Sequence, residues 1–189
     1  MKRAIVRLIP VLLLMMSGCS YFTLVESGTS QTVGEVFRVQ PRLAWSMHED
    51  HGVVFWTIDG PALHRLTFVP AVDSGEGLDL GFGPTRDLPA FADTMTPLEI
   101  MDLVEATLAR SDCHGIEKSD LKPARFGTLE GFRFQMAFAT RSGLRYRGLV
   151  AGAVQGRRLH LVLYAGSDLY HYERYLPEVT AIIDSMEIL

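Results

Sequence analysis

Apolar and polar positions alternate through two stretches of the chain, and each alternation marks a set of strands. In the first stretch, Phe37 and Val39 alternate with polar neighbours, Pro41 interrupts, and Leu43 to Met47 resumes the pattern. Val53 to Ile58 is β-branched and aromatic, and Leu63 to Val69 alternates again, with Leu63, Arg65, Thr67 and Val69 on one face. His48-Glu49-Asp50-His51-Gly52 and Asp59-Gly60 have turn compositions, so 36–69 is expected to form a three-stranded antiparallel meander. In the second stretch, Phe132, Phe134, Met136 and Phe138 alternate with Arg133, Gln135, Ala137 and Ala139. Leu144–Val154 is the next strand, Gln155-Gly156 a tight connection, and Arg158–Tyr164 the returning strand.

Two helices interrupt this pattern. Thr96-Pro97-Leu98-Glu99 is a capping box with proline at the first helical position, and Leu98, Met101, Val104, Glu105 and Leu108 recur at helical spacing up to Arg110. A last helix is expected from Ser167-Asp168, with Leu176, Val179, Ile182, Ile183 and Met186 as its apolar stripe and a kink or break at Pro177. Residues 70–95 hold four glycines, three prolines and four aspartates and are expected to be an irregular loop, either a lid or a docking surface carrying Phe82 and Phe91. Short connections predict an α+β fold: a mainly antiparallel sheet of about six strands packed against two principal helices, in one domain over 35–189.

The C-terminal order is strand 132–138, strand 146–154, strand 159–164, then Tyr172, Tyr175 and Ile182-Ile183-Asp184-Ser185-Met186. It resembles the Mog1/PsbP-like superfamily, whose last helix closes on an isoleucine-x-Ser-aromatic pattern; Met186 stands here where an aromatic is common. The resemblance covers about 35–188 and implies an α/β sandwich, a binding or assembly role without catalysis, and a kinship with bacterial envelope lipoproteins. It transfers no catalytic residue, because the matching positions are core positions.

The N-terminus changes the picture. Lys2, Arg3 and Arg7 precede a short run, Leu8 to Met16, that is apolar apart from Pro10, and then come Ser17, Gly18 and Cys19. A basic head, an apolar run too short to span a bilayer and a small-residue exit make a secretory signal. Met16-Ser17-Gly18-Cys19 resembles the lipobox of bacterial lipoproteins, which implies cleavage after residue 18 and lipidation of Cys19. Mature proteins of that kind usually carry three acyl chains, palmitate among them, and one chain alone anchors only marginally. Ser20, with no Asp after the cysteine, resembles an outer-membrane address facing the periplasm. Residues 19–34, rich in Ser, Thr and Gly, are then expected to be the lipidated cysteine and a flexible tether, with room for a first strand near its end.

Without the signal, 15 Lys+Arg face 22 Asp+Glu, a net charge of −7 with His neutral. That argues against nucleic acid as a partner and leaves the membrane, through the anchor, and an envelope protein or wall component. With Cys19 lipidated, Cys113 has no disulfide partner in the chain and is expected to be a buried thiol.

Candidate chemistry is sparse, and no cofactor is called for. His48 and His51, with Glu49 and Asp50 between them, are metal-capable but lack an evident third ligand, and otherwise form a solvated hairpin tip. A metal-binding protein or a hydrolase using this cluster is the alternative function. Cys113-His114 places a thiol beside an imidazole in sequence only. Asp73-x-Gly-x-Gly-x-Asp79 resembles an oxygen-ligand loop but has Pro84 where an EF-hand needs its glutamate. Arg141, Arg145, Arg147, Arg157 and Arg158 are expected to gather at one sheet end, either to hold an anionic partner or as a rim paired with local acids. Tyr170 and Tyr172, with Tyr164, Tyr175 and His171, form either an interface patch or core packing. The function that follows is a membrane-anchored, non-enzymatic envelope binding module.

Overall fold

The computed structural model describes residues 22–50, 52–83 and 86–189. Its elements are β1 (Thr23–Val25), β2 (Gln31–Val33), β3 (Phe37–Val39), β4 (Trp45–Asp50), β5 (Val53–Thr57), β6 (His64–Asp73), α1 (Pro97–Arg110), β7 (His114–Phe126), β8 (Leu129–Ala139), β9 (Arg145–Gln155), β10 (Arg158–Ser167), α2 (His171–Ser185) and β11 (Glu187–Ile188). An eight-stranded sheet runs β1-β4-β5-β6-β10-β9-β8-β7, every pair antiparallel, and a second sheet runs β11-β3-β2. This corrects the expected fold of about six strands against two helices, and with it the α/β sandwich that the Mog1/PsbP-like resemblance implied.

Three features produce the difference. First, β3 does not join the meander: β4, β5 and β6 form it, while β3 pairs with β2 and with β11 at the far end of the chain. Second, β7 occupies a stretch that carries no periodic signal. It is exposed along most of its length because it is an edge strand, and Lys118, Lys122, Pro123 and two register irregularities blunt that edge against further pairing. Third, the tether stretch holds two strands: β2 falls near its end, where a strand had room, and β1 near its start, where none was expected. Val25 and Val33 are buried within them.

The large sheet is covered on both faces along its middle. One face packs under α2 and the small sheet, burying Trp45, Trp56, Phe68, Tyr164 and Ile183 among others. The opposite face packs under α1 and the 74–95 segment, burying Phe134, Leu161, Leu163, Val104 and Phe91. The capping box at Thr96 and Glu99 forms as expected, but the buried stripe of α1 is Ile100, Met101, Leu103, Val104, Thr107 and Leu108, with Leu98 exposed. Leu78, Leu80 and Phe91 are buried, so 74–83 and 86–95 form a packed cover for the second core. α2 is continuous through Pro177, and its N-cap is Tyr170, not Ser167-Asp168.

Candidate functional site

β6 continues four residues past Val69 through Pro70, a residue that cannot donate to a ladder. The strand accommodates it with a bulge: Leu159 pairs with Val72 and Leu161 with Val69, so Pro70 and Ala71 together oppose His160. Gly34 makes room for this bulge. Its φ is +56°, and a Cβ there would lie 2.7 Å from the Pro70 ring.

The bulge fixes a histidine. Pro70 presents its carbonyl to His160 Nδ1, and a carbonyl can only accept, so Nδ1 carries the proton and Nε2 is left as the acceptor nitrogen. The ring is 5% exposed and meets the edge of Phe37 at 6.1 Å. Burial lowers its pKa, with the Pro70 bond opposing and Arg158 assisting, so the imidazole is neutral at pH 7.

His160 borders a cleft of about 630 Å³ walled by Arg157, Arg158, Asp73, Ser74, Val36 and Ile188. Arg157 takes the second place of a two-residue turn, with Gly156 at φ +56° and Arg157 at φ +71°. That left-handed backbone carries its guanidinium to Asp93, 2.5 Å away, and Arg158 reaches Asp73 at 2.8 Å. Arg157 and Ser74 both donate to Asp93 and hold its carboxyl below the usual range. The two guanidinium groups are largely exposed, and pairs of that kind exchange easily with a competing anion. A second cleft of similar volume lies on the other side of the β9–β10 tip. It is more apolar, between Met95, Pro97, Ile100, Phe132 and Val154.

The five arginines do not share a sheet end. Arg141 and Arg145 stand by the β8–β9 turn and Arg147 in early β9. Arg157 and Arg158 lie at the opposite end, eight residues and roughly 27 Å along the strand from Arg147. Antiparallel pairing puts successive turns at opposite ends, which is the physical reason. Arg141 faces Asp112 at 3.7 Å, and Arg147 pairs with Glu173 while lying over the Tyr172 ring. Tyr172 is buried and stacked on Tyr164, whereas Tyr170 is exposed and accepts from Arg174.

His48 stands in β4 instead of a turn, its ring between Phe22 and Phe55 at 5.2 Å from each. His51, Cys19 and the 1–18 signal lie outside the described residues. Among the described residues, no three His, Cys, Asp or Glu side chains converge as a metal site, and no helix is long and apolar enough to cross a membrane. In the 73–79 segment, Asp73 faces Arg158 while Asp79 accepts from the Gly81 amide. Cys113 is a free, buried thiol whose pKa burial raises, with the Arg65 guanidinium opposing. It is therefore a protonated packing group, and His114 beside it is exposed at the start of β7.

One polar set is visible only in three dimensions. Ser167 Oγ lies 2.8 Å from His171 Nδ1, His171 Nε2 lies 3.6 Å from Asp59, and Tyr175 donates to Asp59 at 2.6 Å. Beneath it, His64 is fully buried and its Nε2 accepts the Ile58 and Asp59 amides, both at 3.2 Å. Burial lowers the His64 pKa to about 4, with Asp59 opposing. The residue types are those of a hydrolase triad, but Ser167 is only 6% exposed and Tyr175 occupies the carboxylate. The set bolts the β5–β6 turn to the start of α2; it does not present a nucleophile. Sequence offered Ser167 and His171 at helical spacing but nothing to link them to Asp59.

No protein-family model matches the chain, and no curated protein matches it in sequence.

Proposed function

We propose that the chain is a lipid-anchored envelope protein that works by binding, with the His160 cleft as its site and a carboxylate-bearing peptide as its ligand. The observation that carries the reading is the combination at one cleft of a tautomer-fixed, neutral imidazole with two exposed guanidinium groups. Arg157 and Arg158 supply forked donors suited to carboxylates. His160 adds an acceptor for an amide or ammonium donor, and Val36 and Ile188 give an apolar wall. Such a peptide could belong to the wall polymer or to an envelope protein. Attachment through Cys19 would hold the cleft in the periplasm, within reach of both.

The test uses the full chain purified from membranes, titrated with soluble wall peptides and, separately, cross-linked in intact envelopes. Reversing both charges, Arg157→Glu with Arg158→Glu, should weaken the captured ligand at least about tenfold, the loss of roughly one charge-assisted hydrogen bond. Unchanged binding in both arms would remove the cleft from the account. Stoichiometric metal in the purified chain would favour the His48-centred alternative.

A further inference from the structure

The two faces of the large sheet are not covered to the same extent. The core under α1 and 74–95 draws on β6, β10, β9 and β8 and on no residue of β1, β4 or β5. On that side of β1, β4 and β5 the sheet presents Phe22, Leu24, Ser46, His48 and Phe55. The register fixes this set, because Val25 and Trp45, paired with each other, point to the opposite core. Phe22 is 43% and Leu24 65% exposed, while the Phe22 and Phe55 rings meet edge-on at 6.2 Å. Arg65 lies over Phe55 on one side and closes under Phe82 on the other, and Val53 packs against Gly81, so the cover reaches the near part of β5 and stops short of β4 and β1.

The chain enters the domain at this open face. Only Ser20, Tyr21 and Phe22 separate Cys19 from β1. Four residue steps span at most about 14 Å, whereas the seven strand spacings from β1 to β7 cover roughly 34 Å. A lipid on Cys19 therefore keeps β1 within about 14 Å of the anchor and puts no such bound on the β7 edge, seven strands away. Among the described residues nothing covers Phe22 and Leu24, and for apolar side chains within that reach the bilayer is the nearest apolar surface.

We propose that the β1–β4–β5 face rests on the bilayer, with Phe22 and Leu24 set into the headgroup region, so that the anchor and the face together fix the orientation of the domain. This rests on the lipid-anchor reading above. The acylated chain is purified from membranes and reconstituted in phosphatidylethanolamine/phosphatidylglycerol vesicles containing lipid with a chain-borne nitroxide. One sample carries a fluorophore at Leu24→Cys and another at Glu117→Cys on β7; Cys113 is buried and Cys19 is acylated, so labelling is selective. Several-fold stronger quenching at 24 than at 117 is expected, and adding Phe22→Ser to the Leu24→Cys chain should reduce it. Equal, weak quenching in chains that float with the vesicles would overturn the docking and leave the anchor standing. A probe at 24 shielded from aqueous iodide but untouched by the lipid quencher would assign the face to a protein and also overturn it. Chains recovered unacylated in the soluble fraction would overturn both.

Discussion

β10 and β4 belong to one sheet but are built for different surroundings. β10, Arg158–Ser167, is buried at every position after the first, because helix, small sheet and the 74–95 cover close over both of its sides. Alternation there is between two cores, so Leu159, Leu161 and Leu163 serve one and Val162 and Tyr164 the other. β4 alternates between a core and the outside: Trp45 is fully buried, while Ser46 and His48 stand half-buried on the open side. A strand that loses its polar face marks a sheet covered twice, and one that keeps it marks where the cover stops.

Glycines give the sharpest contrast between the covered and open parts. Gly127 turns β7 into β8 at φ +57°, and a Cβ there would lie 2.0 Å from the Met186 carbonyl oxygen. Gly127→Ala should cost more than about 4 kcal/mol and abolish soluble expression. Gly52, in the β4–β5 turn at φ +81°, has nothing near the added atom, and Gly52→Ala should cost only the left-handed backbone term, about 1–2 kcal/mol by urea denaturation. Similar losses for the two would erase the distinction. Side-chain truncation should follow suit: Phe134→Ala, in the second core, should cost about 3–5 kcal/mol, and Leu24→Ala less than about 0.5 kcal/mol.

pH tests the α2 side. The folded His64 pKa, about 4, lies below its ordinary 6.5, so folding excludes the proton. The stabilisation is fully present above pH 6.5 and is lost as pH falls toward 4, by at most about 3 kcal/mol. Denaturation midpoints at pH 7, 5.5 and 4.5 should fall accordingly, and His64→Gln should flatten the profile; an unchanged slope would remove His64 as the titrating group. The most local effect is expected at the boundary of the cover. The Arg65 guanidinium lies 3.3 Å from the Phe82 ring centroid, and burial lowers its pKa to about 10. Arg65→Ala should release about 1–2 kcal/mol of local protection, read as faster amide exchange at Leu78 and Leu80 but not at Val162.

Much of the architecture was readable where local chemistry decides it. The Thr96 capping box, the alternation of Phe132 to Phe138 and the tight β9–β10 turn each depend on residues close in sequence. β7 drew no expectation because an edge strand has no core face to impose a period, and its Glu117, Lys118 and Lys122 are exposed or half-exposed along it. β2, β3 and β11 were missed as a sheet because three- and two-residue strands carry too little pattern, and their pairing joins positions some 150 residues apart. Pro70 argued for a strand end at Val69, but the bulge let β6 pass through it, and that bulge is what sets His160. Within the candidate cleft, Arg157 and Arg158 were legible as exposed charge at a turn. His160 was not singled out within the expected strand Arg158–Tyr164, since its partner is a carbonyl ninety residues away. The Asp59, Ser167 and His171 set could not be assembled from spacing at all.

The proposed docking of the open face turns on how the mature chain begins, because a lipid on Cys19 would lie four residues from β1. Intact-mass and peptide mass spectrometry of the protein extracted from membranes measures this directly. The predicted result is a chain starting at Cys19, with residues 1–18 gone and the mass of acyl chains on that residue. A chain retaining Met1, or one starting elsewhere with an unmodified Cys19, would contradict it.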